Sequence, residues 1–401
     1  MVAVSRPATR DLRIDFFRGI VLIEIFVNHM PGNTFETLSH KNFGITDAAE
    51  VFVFLAGISA SYAYFPTFAN GRPGLAIARV LHRVGTLYVA HLANILLGLA
   101  LFSAAALWFG AQGLLANFNI PAVFEAPREA FVGMGLLVHQ IGYFNILPIY
   151  VALLALLPVV MALARVDARL LLAVSVGVWA IAQTFMINIP NYPSEGAWFF
   201  NPFAWQLLFV LGFLLGHRVM TGKGGIPYHP VVFWAAIVYL VICGSYAWFN
   251  MWGTIPDFGV SSRLVGNDKT YVALPRLAHI LALAYVVGHS RIVARLTARL
   301  TPVNLFVVMG RHSLPVFWAG ALLSVCGLVI RYRYTGWSGE KPMPEMPGVF
   351  WLDAVLVLAG TAVQMLLALF LDWKGRATAA ARRPAIPVSP APPSRPIAPA
   401  Q

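Results

Sequence analysis

Apolar runs separated by short polar stretches follow one another along the whole chain. Ten of these runs are roughly 20 residues long, the length that an α-helix needs to cross the hydrocarbon core of a bilayer. The pattern therefore predicts an all-α polytopic integral membrane protein with about ten transmembrane helices. The spans are expected at residues 14–31, 47–67, 80–109, 143–164, 169–188, 202–220, 229–250, 274–290, 304–329 and 349–372.

The composition agrees with a membrane protein. Hydrophobic residues make up 59% and charged residues 11% of the 401 residues, and the mean hydropathy is +0.73. Soluble domains are less apolar and about twice as charged. The net charge of +12 is spread over short flanks of the apolar runs rather than over one patch. This positive-inside pattern indicates that the partner is the lipid bilayer and argues against nucleic acid.

The distribution of Lys and Arg also predicts the orientation. With the N-terminus in the cytoplasm, the inner flanks hold 19 of these residues and the outer loops hold 8. Because an even number of spans returns the chain to its starting side, both termini are expected in the cytoplasm. Residues 1–374 are expected to form one membrane domain. Residues 375–401 are basic and rich in Pro and Ala, which predicts a disordered cytoplasmic tail.

Motifs for metal or nucleotide chemistry are not found in the sequence. Cys243 and Cys326 are the only cysteines, and both lie inside apolar runs, which favours packing over a disulfide or a metal cluster. The chain carries no Walker loop, dinucleotide fingerprint or zinc-ligand spacing. We therefore expect no bound metal.

The first span carries a stripe of ionisable residues, which are costly inside a bilayer. At 100° per residue, His29 lies within roughly 20° of Arg18 and about 16–17 Å further along the helix axis, and Asp15 lies about 60° from Arg18. Glu24 falls on the opposite face from Asp15. One interpretation is an interfacial Asp15–Arg18 pair with His29 at the other interface. The other is a through-membrane site, in which Arg18 holds an anionic donor and His29 is a general base.

Four further residues are candidates near this stripe. Glu50 opens the second span near the level of His29, where it either orients the imidazole or is a carboxylate favoured by the helix dipole. Arg79 and Arg83 lie one turn apart at the inner end of the third span. They are either phosphate-binding groups or ordinary positive-inside anchors. His91, further along the same span, is either a donor-binding residue or a packing residue.

Polar residues of the later spans are candidates for binding a polar acceptor, although ordinary helix starts and loop ion pairs explain them equally well. Arg311 lies within the ninth span, so it needs a partner or a water-filled cavity, and it is a further candidate for the donor site. The acceptor candidates are Asn145, Asp268, Lys269, Arg276, His279, His312 and Ser313.

The stretch "DFFRGIVLIEIFVNH" resembles the opening helix of the acyltransferase-3 superfamily, whose signature is Asp-x-x-Arg followed by ten residues and His. Asp15, Arg18 and His29 match this signature. The whole chain resembles OpgC-type proteins of osmoregulated periplasmic glucan synthesis. One departure is Ala56, at the position before Gly57 where the family usually has Ser. This difference affects only a possible role for the Ser hydroxyl and not the expected fold. The resemblance is carried by "DAAEVFVFLAGISASYAY", "YFNILPIY", "FNPFAWQLLFVLGFLLG", "DKTYVALPRLAHILALAY" and "GRHSLPVFW".

The resemblance implies a multi-pass O-acyltransferase of the bacterial cytoplasmic (inner) membrane. Such a protein moves an acyl group, succinyl in the named family, from cytoplasmic acyl-CoA to hydroxyls of a periplasmic glucan or other glycan. Acyl-CoA, with succinyl-CoA as the expected form, is then a co-substrate, and a homo-oligomer is compatible with the sequence. A transporter or flippase of an anionic or sugar-linked solute is the alternative, since buried Asp, Arg and His serve transport as well.

Overall fold

The computed structural model describes residues 11–251, 266–336 and 346–381. Their regular secondary structure is helical, with one isolated β-bridge between Pro190 and Ala197. The α-helices are α1 (Leu12–Asn28), α2 (Ala48–Ala69), α3 (Pro73–Phe109), α4 (Gln112–Leu115), α5 (Pro121–Glu125), α6 (Pro127–Gly135), α7 (Ile146–Val166), α8 (Ala168–Phe185), α9 (Pro202–Met220), α10 (Pro230–Trp248), α11 (Leu274–His289), α12 (Arg291–Thr297), α13 (Leu305–Arg311), α14 (Ser313–Thr335) and α15 (Phe350–Ala381). Short 3₁₀ turns lie at Thr34–Leu38, His40–Asn42 and Gly142–Phe144.

The predicted all-helical membrane architecture is confirmed. In the described part of the chain, eight helices are long and apolar enough to cross a membrane, and α11 with α12, bent by 65° at their junction, would form a ninth. α1 has only 17 residues and carries several charged side chains. α15 continues to Ala381, so residues 375–381, predicted as the start of the tail, are helical. Residues 382–401 lie outside the described residues.

The predicted ninth span, residues 304–329, is wrong as a single helix. The chain breaks at His312, whose φ of −101° and ψ of 36° separate α13 from α14. Pro315, at the third position of α14, has no N–H to donate to the preceding turn, and proline is well tolerated in a first turn. α14 then continues past the predicted end to Thr335.

α13 runs antiparallel to α1. Gly310 of α13 lies against the backbone carbonyl of Asp15, and one turn earlier Phe306 presents its carbonyl to Gly19. A β-carbon at either glycine would clash with that carbonyl, so the two helices meet backbone to backbone, as small residues allow in membrane proteins. α14 instead contacts Met30, just beyond the other end of α1. The chain therefore reverses between α13 and α14 near what we call the Asp15 end of α1, opposite its His29 end.

α2 and α9 form a second close helix pair. A β-carbon at Gly57 would clash with the carbonyl of Phe209, and one at Gly212 would clash with the carbonyl of Phe54. Small residues at such crossings let dispersion contacts form over a large area, which is a main driving force for helix association in lipid. This pair fixes the position of the α2 side chains that meet α1.

A buried ion pair joins α14 and α15 at the His29 end. Arg331 and Asp353 are both fully buried, and the guanidinium donates to Oδ1 of the carboxylate. Oδ2 of Asp353 accepts from the backbone N–H of Thr34 at 2.8 Å and from its hydroxyl at 2.9 Å. The segment that follows α1 is thereby tied to the last two helices.

Candidate active site

His29 caps the C-terminal end of α1 and is held between aromatic rings. Its imidazole stacks on Tyr143, with ring centroids 4.8 Å apart and planes 18° from parallel. The ring of Phe317 lies edge-on at 6.4 Å. Nδ1 of His29 is buried and has no hydrogen-bond partner among the described residues. Ring stacking, rather than a hydrogen-bonded carboxylate, therefore orients this imidazole.

A small cavity opens beside the imidazole of His29. It has room for about one water molecule. Aromatic and aliphatic side chains from α3, from the 3₁₀ turn before α7 and from α14 form most of its wall. The lining includes His29, Tyr143, Phe102, Phe144, Ser324 and Leu328. The imidazole is partly buried, and mostly apolar groups line the cavity beside it.

Asp15 and Arg18 are both buried at the other end of α1. Nη2 of Arg18 donates to Ser59 Oγ at 2.6 Å and to the carbonyl of Leu55 at 3.2 Å. Nη1 lies 3.9 Å from Oδ1 of Asp15. The guanidinium therefore binds α1 to α2 inside the protein, which is how a buried charge becomes tolerable in a membrane.

Glu50 is paired with Arg276 of α11. The carboxylate is fully buried and accepts from Nε of the guanidinium at 2.8 Å and from a second guanidinium nitrogen. Nη1 of Arg276 donates to Asn267 at 2.9 Å. The other carboxylate oxygen of Glu50 accepts the backbone N–H of Asp47, which completes a capping box at the start of α2. The structure thus joins two sequence candidates, Glu50 and Arg276, to each other.

Lys269 forms a second ion pair, with Asp47. Its ammonium also lies over the rings of Phe199 and Phe200, at 5.3 and 5.4 Å from their centroids. Lys269 and Asp47 lie near enough to His29 for their charges to interact with its imidazole.

Asp268, the residue before Lys269, accepts the backbone N–H of Tyr271 and therefore stabilises its own turn. The predicted acceptor residues of this loop lie at the His29 end.

Two further histidines lie at the same end. His279 is buried, and its Nδ1 is 2.7 Å from Thr46 Oγ1. His40 hydrogen-bonds Glu24 through Nδ1 at 2.7 Å and through its backbone N–H at 3.0 Å. Burial lowers the pKa of His40, but the hydrogen bond and charge of Glu24 outweigh burial and raise the pKa above its usual value.

Arg79 and Arg83 lie on the first turns of α3. Arg79 donates to Thr67 Oγ1 at 3.3 Å and lies 5.8 Å from the centroid of the Tyr64 ring. The charge of Arg83 also acts on Tyr64. These two candidates therefore share one neighbourhood at the junction of α2 and α3, as their spacing predicts.

The middle of α3 holds two polar side chains in the apolar core. His91 and Asn94 are fully buried, and none of their side-chain nitrogen and oxygen atoms has a hydrogen-bond partner among the described residues. Asn145, in contrast, lies immediately before α7, does not cap it through its side chain and is half-buried. Among the described residues, none of these three side chains forms a hydrogen bond with His29.

Arg311 forms an ion pair with Asp372 of α15. Nη1 donates to the carboxylate at 2.6 Å, and Nη2 donates to the carbonyl of Pro302 at 3.0 Å. Nε2 of His312 lies 3.7 Å from the same carboxylate. Ser313 is the first residue of α14. The predicted acceptor residues His312 and Ser313 therefore lie near the Asp15 end, away from Lys269 and Arg276.

Sequence reasoning missed several partners of these residues. Tyr143 belongs to a recognised stretch, but nothing in one sequence indicates that its ring stacks on His29. Ser59, Asp372 and Asn267 are ordinary polar residues by pattern. Each becomes significant only through the guanidinium from which it accepts, which lies 41, 61 and 9 positions away in the chain, respectively. Asp372 had one usable signal, since an acidic residue at the end of an apolar run predicts a basic partner.

Comparison with known proteins places this chain in a sequence family. A family model described as OpgC protein matches residues 10–376, which is nearly the whole chain. No curated protein and no solved structure matches it significantly.

Proposed function

The chain belongs to the OpgC family of glucan-succinyltransferase-like membrane proteins, and on this premise we propose that it is an acyl-CoA-dependent O-acyltransferase. It takes an acyl group, succinyl in the form that the family favours, from acyl-CoA on the cytoplasmic side of the bacterial inner membrane. The acceptors are hydroxyl groups of a periplasmic glucan or other glycan. The Asp15 end of α1 faces the cytoplasm, in agreement with the distribution of basic residues.

His29 is the general base in this proposal. The placement of its imidazole beside a small cavity with a mostly apolar lining is the observation that carries the assignment. Because Nδ1 is buried, Nε2 accepts the proton of the acceptor hydroxyl while the oxygen attacks the thioester carbonyl. The C–S bond then breaks, and the proton passes to the departing CoA thiolate. In an acyl-enzyme route, the same imidazole would activate the acceptor in the second step.

Asp15 and Arg18 position the donor side of the site. Arg18 binds α1 to α2 through Ser59 and a backbone carbonyl, so the two helices that bear the candidate residues stay in register. Because α1 is rigid between its ends, this contact also fixes the height of His29 about 16–17 Å away. A fixed base is required for productive alignment with the thioester.

Transport of an anionic or sugar-linked solute is the competing function. Transporters of inverted-repeat folds have interrupted helices at matched positions in two halves of the chain. The interruptions described here, at Ser290 and His312, both lie in the last third of the chain. They do not form such a matched pair, so the acyltransferase is the function that we propose.

The experiment that separates the two functions uses membranes with and without the protein. They are supplied with succinyl-CoA labelled in the acyl group and with purified periplasmic glucan, and labelled glucan, free CoA and glucan movement are measured. We expect label on the glucan and an equal amount of released CoA. Movement of glucan with the thioester unconsumed would contradict the proposal and support transport.

A further inference from the structure

A cluster of charged side chains surrounds Asp372 at the Asp15 end. Arg311 donates to the carboxylate at 2.6 Å, Arg376 lies 3.3 Å from its other oxygen, and His312 lies 3.7 Å away. Two guanidinium groups therefore share one carboxylate, and the cluster keeps an excess positive charge. We call Arg311, His312, Asp372 and Arg376 the Asp372 cluster.

The reversal of the chain at His312 puts this cluster beside α1. Gly310 touches the backbone of Asp15, so Arg311 and His312 follow directly from a point of contact with the stripe that leads to His29. The carboxylate that anchors them comes from α15, the last described helix. The cluster is therefore built from two separate parts of the chain, the break after α13 and the end of α15, around the Asp15 end.

The cations of this cluster remain accessible. The side chain of Arg376 is 65% exposed and that of Arg311 is 25% exposed, whereas Asp372 is only 10% exposed. Arg18, the cation that the sequence suggests for the donor, is 8% exposed and is engaged by Ser59 and a backbone carbonyl. An anionic ligand arriving at this end meets the guanidinium groups of α13 and α15 before it meets Arg18.

We propose that the Asp372 cluster binds the phosphate groups of the coenzyme A donor. The assignment rests on the proposed function, because it names where the anionic part of that donor sits. Guanidinium groups suit phosphate because they donate paired, charge-assisted hydrogen bonds. Asp372 holds Arg311 in place when the donor is absent and competes with phosphate for the same donors. The thioester arm then extends from the cluster along α1 towards His29.

The test is direct binding of unacylated CoA to the purified protein in lipid nanodiscs. Binding is compared with that of dephospho-CoA, which lacks the 3′-phosphate, and of pantetheine, which lacks the nucleotide. The Arg376→Gln variant is the main probe because its exposed side chain can change without disturbing the fold. Arg311→Gln and Asp372→Asn complete the series. Arg333→Gln, an exposed arginine at the other end of α14, is the matched control.

We expect Arg376→Gln to raise the Kd for CoA about tenfold and to reduce the preference for CoA over dephospho-CoA. Asp372→Asn is expected to lower the Kd, because a competing carboxylate is lost, and Arg333→Gln is expected to leave it unchanged. An unchanged Kd in both arginine variants of the cluster, while the wild type binds CoA, would overturn this site alone. Weaker binding in Arg83→Gln but not in Arg376→Gln would also overturn it. If the wild type does not bind CoA, the proposed donor itself is wrong.

Discussion

Replacing Glu50 with glutamine is expected to destabilise the protein by about 3–5 kcal/mol, because the Arg276 guanidinium is then buried without its counter-charge. Glu50 is fully buried and Arg276 nearly so. Two guanidinium nitrogens donate to one oxygen of the carboxylate. A glutamine can still accept the backbone N–H of Asp47 through its one oxygen, but its NH2 group then faces the guanidinium. The expected loss therefore combines the lost charge with the lost hydrogen bonds to Arg276.

Thermal unfolding in detergent measures this loss. At roughly 2 °C for each kcal/mol, the midpoint of Glu50→Gln should fall by about 6–10 °C. The double variant Glu50→Gln/Arg276→Met removes both charges and should recover most of the loss, since a buried ion pair can be replaced by neutral groups at little cost. Glu129→Gln, an exposed acid on α6, is the control and should change stability by less than about 0.5 kcal/mol.

The same variants test the sequence-based hypothesis that Glu50 orients His29. If the carboxylate serves mainly to neutralise Arg276, the double variant recovers acyl transfer together with stability. Additive losses in the double variant would refute the reasoning about the ion pair. A double variant that is as stable as the wild type but inactive would instead show that the carboxylate acts in the chemistry.

Three further outcomes follow from the geometry. Tyr143→Phe keeps the ring that stacks on His29 and should keep acyl transfer near the wild-type rate. Tyr143→Ala should lower kcat, measured at equal expression, by about 3–10-fold, because an aromatic stack contributes about 0.5–1.5 kcal/mol. Asp353→Asn should lower the unfolding midpoint in detergent by several degrees, because it strands the buried Arg331. The pKa of His40 is raised in the folded protein by its pairing with Glu24. The stabilisation from this pairing is therefore fully present below the unfolded pKa of about 6.5, and it is lost as the pH rises through the raised folded-state pKa. The stability difference between wild type and His40→Gln should therefore shrink on raising the pH from 5.5 to 9.

The features predicted correctly are those set by local periodicity. A run of apolar residues determines that a membrane helix forms, and the 100° step between residues places Asp15, Arg18 and His29 on one stripe without further information. The spacing of Arg79 and Arg83 likewise implies their shared position. Such inferences need only residues that are near in the chain.

The features that the sequence leaves open depend on contacts between distant residues. Glu50 and Arg276 are separated by 226 positions, so either partner alone looks like a helix-start carboxylate or a loop cation. The break at His312 is hidden because the stretches at 305–310 and 314–323 are apolar and read as one span. The reversal depends on Gly310 meeting the backbone of α1. The stacking of Tyr143 on His29 has no sequence signal of its own.

The most direct test of the account is acyl transfer by His29→Ala. Membranes with equal amounts of folded wild type, His29→Ala and His82→Ala are given labelled succinyl-CoA and glucan, with the exposed His82 of α3 as the matched control. A general base contributes about 10²–10⁴-fold, so His29→Ala should lose at least a hundredfold in rate while His82→Ala keeps the wild-type rate. Full transfer by a folded His29→Ala protein would contradict the assignment of the base.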